Sequence, residues 1–184
     1  GYASHAMHTT PMDSLAAGYY CKDNKYYKDP KLLELMHNVL AFMESHHRPN
    51  FTIDMMESNF FCPPLFEAVN VSRAYRIMQM YASTDEEKKL LKRFTDYLPM
   101  MEKSLLNGGI HTPNHRWIGA SGMLMLANIM DSADLRNLAF AYLNEGVDMS
   151  EFGEYTERSP HYSEVCNTSF MQIALETGDR SYLK

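Results

Sequence analysis

The chain is expected to be all-α, built of stacked α-hairpins that form an incomplete α/α toroid. Three observations lead there. Apolar residues recur at helical spacing almost throughout, and no convincing alternating strand appears. The helical stretches alternate with short and long connections, and they are too many for a four-helix bundle. No strict sequence repeat is visible, so a consensus solenoid is not expected. The 184 residues make one domain, long enough to bury a real core. With the opening at Gly1 without an initiator Met, and a last stretch from Asp179 to Lys184 that reads as the start of another helix, the domain 1–184 is expected to be a piece of a longer multidomain protein.

A short first helix is expected from about Met12 to Tyr20. Asp29-Pro30 opens the second, where Leu32, Leu33, Leu35, Met36, Val39, Leu40 and Met43 share one broad face to about Ser45. A loop over His46–Asn50 and an irregular stretch to Cys62 follow. Pro63-Pro64 starts the third helix, which runs to about Tyr81. Thr84-Asp-Glu-Glu87 is a capping-box signature and opens the fourth, through about Leu98. Pro99 is expected to kink or restart it before the stop at Asn107-Gly108-Gly109.

The fifth helix begins at Asn114 or His115 and ends at Met130. Gly119, Ala120, Ser121 and Gly122 on one side would allow close packing. Ser132 caps the sixth, which ends at Gly146. A polar loop from Val147 to about Ser163 leads to the seventh, Glu164 to Thr177, closed by Gly178.

Composition excludes several functions. A formal charge of −6 and the absence of a clustered basic face argue against nucleic acid. Lys88, Lys89, Lys92 and Arg93 alternate with acids and read as a solvated helix face. No apolar run reaches the ~20 residues of a membrane span. Cys21, Cys62 and Cys166 form neither a disulfide framework nor a zinc pattern. His5 with His8, and His46-His47, lack an accompanying ligand set, so no metal is expected. The fifteen methionines mostly sit at helical spacing, as in Met123, Met125 and Met130, and read as core filling.

Two loop stretches stand apart from this scaffold: Thr112-Pro-Asn-His-Arg-Trp117 and Gly153-Glu-Tyr-Thr-Glu-Arg-Ser-Pro-His-Tyr162. Polar groups on loops carried by a rigid frame are where recognition and chemistry concentrate. Asn114 reads either as an N-cap after Pro113 or, with His115, as donors at a helix N-terminus facing an anionic ligand. Arg116 would then supply a charge clamp. Trp117, the single tryptophan, is either a stacking face or core.

In the second stretch Glu154 and Glu157 could share a helical face or be solvated acids. Glu157 with Arg158 could form a loop ion pair. Tyr155 and Tyr162 could cover the loop base, whereas a catalytic Tyr needs a neighbour such as His161 or Arg158 to lower its pKa from ~10.

The two stretches, with the small-residue helix between them, resemble the heparinase II/III-like polysaccharide lyases of bacteria. That family places an Asn or Asn-His early on a toroid helix, followed by a loop of the form D-G-x-Y-x-E-x-S-x-x-Y. The resemblance spans about residues 107–178. It departs at Phe152, where Asp is usual, and at His161, where a small residue is common.

It implies β-elimination on a uronic-acid-containing polysaccharide, without a cofactor, in the periplasm or outside the cell. Asn114 would neutralise the uronate carboxylate, His115 would match a histidine base and Tyr162 the tyrosine acid or base. Arg116, Trp117, Tyr155, Glu157, Arg158 and His161 would bind substrate or order the loop. It also implies a downstream β-sandwich domain in the parent chain that supplies a further histidine, leaving this piece incomplete by itself. The alternatives are an α/α-toroid glycoside hydrolase using Glu154 and Glu157, and a non-catalytic carbohydrate-binding scaffold.

Overall fold

The computed structural model describes residues 12–51, 65–110, 112–147 and 149–183. Seven helices appear there: α1 (Met12–Tyr20), α2 (Pro30–His46), α3 (Leu65–Tyr81), α4 (Asp85–Asn107), α5 (Pro113–Met130), α6 (Ala133–Asn144) and α7 (Pro160–Thr177). A 3₁₀ turn, Arg180–Leu183, follows. Among the described residues the only β pairing is an isolated bridge between Met149 and Tyr155. The chain is therefore all-α. The readings placed on His5, His8, Cys62, Pro63 and Pro64 lie outside the described residues.

The helices pack in two rows. α1, α3, α5 and α7 each contact the next member of their row, and α2, α4 and α6 do likewise. Each hairpin α1–α2, α3–α4 and α5–α6 joins one row to the other. α5 sits among α3, α4, α6 and α7 and is buried on nearly every side. Its sequence explains this: Ile118 through Met130 is apolar or small almost without interruption. Gly119 and Gly122 let α3 come close. A Cβ at Gly122 would lie 3.0 Å from Ala68 Cβ and 3.3 Å from the Leu65 carbonyl, and one at Gly119 would lie 3.0 Å from Leu65 Cδ2.

Local signals account for most of the helix ends. Asp29 accepts from the Lys31 N–H at 3.0 Å, ahead of Pro30 in the first turn of α2. Thr84 and Glu87 form the reciprocal capping box. Glu87 is fully buried and also takes Lys28 Nζ at 2.5 Å and the Tyr19 hydroxyl at 2.9 Å, tying α1 and its following loop to α4. Burial pushes its carboxyl up. Lys28, the Ser83 and Thr84 N–H groups and Tyr19 outweigh that and hold it at about 2.

Two expected boundaries differ. α4 continues through Pro99 to Asn107, because the buried seam of Leu90, Phe94, Leu98, Met101 and Leu105 keeps its register across the proline, whose ring faces solvent. Packing on both sides outweighs the ~3 kcal/mol penalty of an interior proline. α7 begins at Pro160, not Glu164: Ser159 Oγ accepts from the Tyr162 N–H at 3.4 Å and Pro160 takes the first helical position.

Candidate functional site

The start of α5 is capped from outside. Thr112 holds the N-cap position but makes no side-chain cap; its Oγ1 instead accepts from Asn114 Nδ2 at 3.0 Å. Asn114 is therefore not the cap. It lies inside the first turn and is 1% exposed. The missing cap comes from the α6–α7 loop: Glu157 Oε2 accepts the Asn114 backbone N–H at 2.8 Å, and Oε1 accepts Asn114 Nδ2 at 2.7 Å. A carboxylate thus sits where backbone donors and helix dipole favour negative charge. Asn114 Oδ1 is buried without a hydrogen-bond partner among the described residues.

Of the next three residues, His115 turns toward α3 while Arg116 and Trp117 stay together. The His115 ring packs edge-on against Phe66, with centroids 5.8 Å apart. Arg116 pairs with Glu145 at 3.0 Å and lies over the Trp117 ring at 5.5 Å, while its Nε is buried without a partner among the described residues. Trp117 is 3% exposed and packs on Phe170 at 5.1 Å, so of its two readings core is the one realised.

The loop that carries Glu157 is folded on itself. Beside the Met149–Tyr155 bridge, Ser150 Oγ accepts the Phe152 and Glu154 N–H groups at 3.3 and 3.1 Å. Gly146 and Gly153 take positive φ, as does Arg158 at 46° directly after Glu157. The Tyr155 hydroxyl donates to Asn167 on α7 at 2.8 Å. Burial, then Cys166, raises the Tyr155 hydroxyl pKa, so this tyrosine stays protonated at neutral pH. Burial and then Glu157 push the Cys166 thiol up to about 11, which keeps it unreactive.

Three cavities border this region. One of about 230 Å³ is lined by Thr112, Arg116, Trp117, Tyr155, Glu157 and Cys166 among others. A larger open cleft of about 710 Å³ lies between the loop, α7 and the terminal turn, with Glu154, Tyr155, Arg158, Asn167, Phe170 and Tyr182 in its wall. The third, about 260 Å³, lies across α7, with Phe66, Arg73 and His161.

The candidate residues therefore divide. Asn114, Arg116, Trp117, Tyr155 and Glu157 gather at the α5 start, Arg158 joins Tyr155 at the large cleft, and His161 faces the other side of α7. Tyr162 stands in the first turn of α7, 42% exposed, its ring 5.5 Å from that of His161, and it lines none of the three cavities. Glu154 and Glu157 line different cavities. Sequence reasoning missed Asn167, Phe170 and Tyr182. The signal was available for the first: Ser163, Asn167 and Met171 recur at i, i+4 on one face of α7.

Among the described residues no cluster of three or more His, Cys, Asp or Glu is placed to hold a metal ion, and no helix is long and apolar enough to cross a membrane. Searches against protein-family models, curated proteins and solved structures return no match to this chain.

Proposed function

We propose that this chain is the α/α-toroid part of a heparinase II/III-like polysaccharide lyase, acting on a uronic-acid-containing polysaccharide in the periplasm or outside the cell. A β-sandwich domain of the parent chain would complete it. One observation carries the reading: the α5 start presents the Asn114 N–H and amide as a two-point fork, and a carboxylate fills that fork. The two-row stacking of hairpins supports the toroid.

In this reading the α5 start neutralises the substrate carboxylate and so acidifies the proton at C5. A base, His115 or the partner domain's histidine, removes that proton. The C4–O4 bond breaks as the C4–C5 double bond forms, and the departing O4 would be protonated by Tyr162, which stands exposed in the first turn of α7 outside the three cavities and would have to be reached by the bound chain. Preorganised donors at the carboxylate supply the largest share of such catalysis, and the acid/base pair adds roughly 10²–10⁴-fold. Arg158 and Tyr155 contact sugar from the large cleft; Arg116 and Trp117 shape the smaller cavity at the α5 start, and His161 stands across α7 from both. No cofactor is needed for this step.

A non-catalytic reading, recognition of acidic carbohydrate alone, is favoured by one feature. Both Asn114 amide hydrogens are engaged inside the protein.

The test is incubation of the full-length parent with uronic-acid polysaccharides. An ultraviolet-absorbing unsaturated uronate product is expected, and its loss in Tyr162→Phe. New reducing ends without unsaturation would mean a hydrolase, binding without turnover a recognition scaffold, and undiminished elimination in Tyr162→Phe would remove that residue from the mechanism.

A further inference from the structure

We infer that the groove between α3 and α7, floored by α5, seats a short zwitterionic peptide of about three residues. Arg73 on α3 bonds Gln172 on α7 at 3.1 Å, and Arg76 bonds Glu176 one turn further on, so the two helices run the same way. Phe66, Asn70 and Arg73 stand opposite Val165, Thr168 and Gln172, each set at the spacing that keeps it on one helix face. Between them lies the cavity of about 260 Å³, with Ile118 and Ser121 of α5 at its floor. Its polar walls are unengaged. Among the described residues the Asn70 amide, the Thr168 hydroxyl and the Glu164 carboxylate have neither hydrogen bond nor ion pair. Arg73 gives one N–H to Gln172 and faces Asp13 at 3.6 Å, too far for a hydrogen bond, so most of its donors remain.

The two ends of this cavity carry opposite charge. Gln172 marks the level of Arg73, and Glu164 lies two turns before it on α7, about 12 Å along the axis. Three residues of extended peptide span about 10 Å, and a hydrogen bond at each end closes the difference. The terminal carboxylate takes the Arg73 guanidinium, and the terminal ammonium takes Glu164. Midway, Asn70 and Thr168 each offer a donor and an acceptor, the pair that a backbone amide needs. Phe66, Val69, Ile118 and Val165 form an apolar wall for the central side chain. An acidic oligosaccharide fits less well, because it brings no cation to Glu164 and its negative charge is repelled there.

This seat is separate from the α5 start and from the large cleft, and it does not depend on the lyase reading. Calorimetry on the full chain with the tripeptide Ala-Leu-Ala, its N-acetyl form, its C-terminal amide and D-glucuronate tests it, repeated on Glu164→Gln and Arg73→Gln. Ala-Leu-Ala binds at roughly millimolar concentration or below. Acetylation weakens it about twofold to fivefold, the scale of an exposed ion pair, and amidation about tenfold. In Glu164→Gln acetylation costs nothing more, and in Arg73→Gln amidation costs nothing more. Glu164 is exposed and unpaired among the described residues, so its variant keeps the fold and decides alone should Arg73→Gln not fold. No binding of Ala-Leu-Ala at about 10 mM overturns the seat. So does an acetylation loss as large in Glu164→Gln as in wild type. D-glucuronate binding that exceeds tripeptide binding and strengthens in Glu164→Gln also overturns it, and gives the groove to acidic sugar instead. A parent without elimination activity leaves all of these results unchanged.

Discussion

Arg76 on α3 grips Glu176 in the last turn of α7 through two parallel hydrogen bonds, Nη1 to Oε1 at 2.6 Å and Nη2 to Oε2 at 2.7 Å. Asn128 of α5 and Gln172 of α7 each add a bond to the same carboxylate at 2.7 Å, so one side chain joins three helices of a row. Burial pushes the Glu176 carboxyl up, but Arg76, Asn128 and Gln172 together hold it below the usual range. A group depressed in the folded state contributes stability above its unfolded pKa and loses it as pH falls through the folded one. Wild type is expected to lose stability on that acid side, and Glu176→Gln to lose less. Arg76→Ala costs about 1–3 kcal/mol at neutral pH. Denaturant titrations at several pH values check both.

Glu67 predicts the opposite slope. It is 5% exposed, and among the described residues neither carboxylate oxygen has a hydrogen-bond partner. Burial raises it to about 8. The folded state then keeps a proton that the unfolded chain has released, so stability falls as pH rises from about 4.5 to about 8 and levels off beyond. The nearby Tyr97 hydroxyl, raised by burial and by Glu67 and Glu44, bonds to His47 at 3.0 Å and offers the carboxylate no cation. Glu67→Gln should flatten this slope and be the more stable protein at pH 8. A parallel pH dependence in wild type and variant would show that Glu67 is solvated.

The α3–α5 contact separates two glycines. Gly122→Ala drives a methyl against the Leu65 carbonyl and Ala68 Cβ, neither of which can rotate away, and is expected to cost about 1–3 kcal/mol. Gly119→Ala meets only the ends of the Leu65 and Ile110 side chains and should cost less than about 1 kcal/mol. Thermal melts of the two variants decide; equal losses would mean that Leu65 cannot move.

Arg158 is exposed in the wall of the large cleft, and among the described residues no carboxylate pairs with it. Under the proposed carbohydrate reading, Arg158→Ala is expected to weaken binding of an acidic oligosaccharide about fivefold to tenfold at low salt, with the difference shrinking as salt screens the charge. Tyr155→Phe, which loses the Asn167 bond, should weaken neutral and acidic oligosaccharides alike. Calorimetry at two ionic strengths separates these effects.

The helices were legible where a local device marks them: the Asp29 cap before Pro30, the Thr84–Glu87 box, and the run of small and apolar residues in α5. Pro99 misled because its penalty is local while the seam that overrides it is tertiary. Ser159-Pro160 was an ordinary helix start hidden by the polar residues after it. At the site, the sequence brought forward Asn114 and Glu157 separately. Their bond was not readable, since it joins residues 43 positions apart and depends on Thr112 failing to cap its own helix. Trp117 was ambiguous for the same reason: only Phe170, on another helix, decides which way it faces.

The near-contact of backbones at Gly122 has a mechanical consequence. With no flexible side chain between them, α3 and α5 cannot slide past one another without atoms overlapping, so they behave as a single stiff plate. Deformation on ligand arrival must be taken up elsewhere. The expected place for it is the α6–α7 loop over its described residues from Met149 to Arg158, the latter at positive φ. Hydrogen exchange should therefore divide the protein sharply, slow along the plate and fast between those two residues, with ligand changing only the fast part.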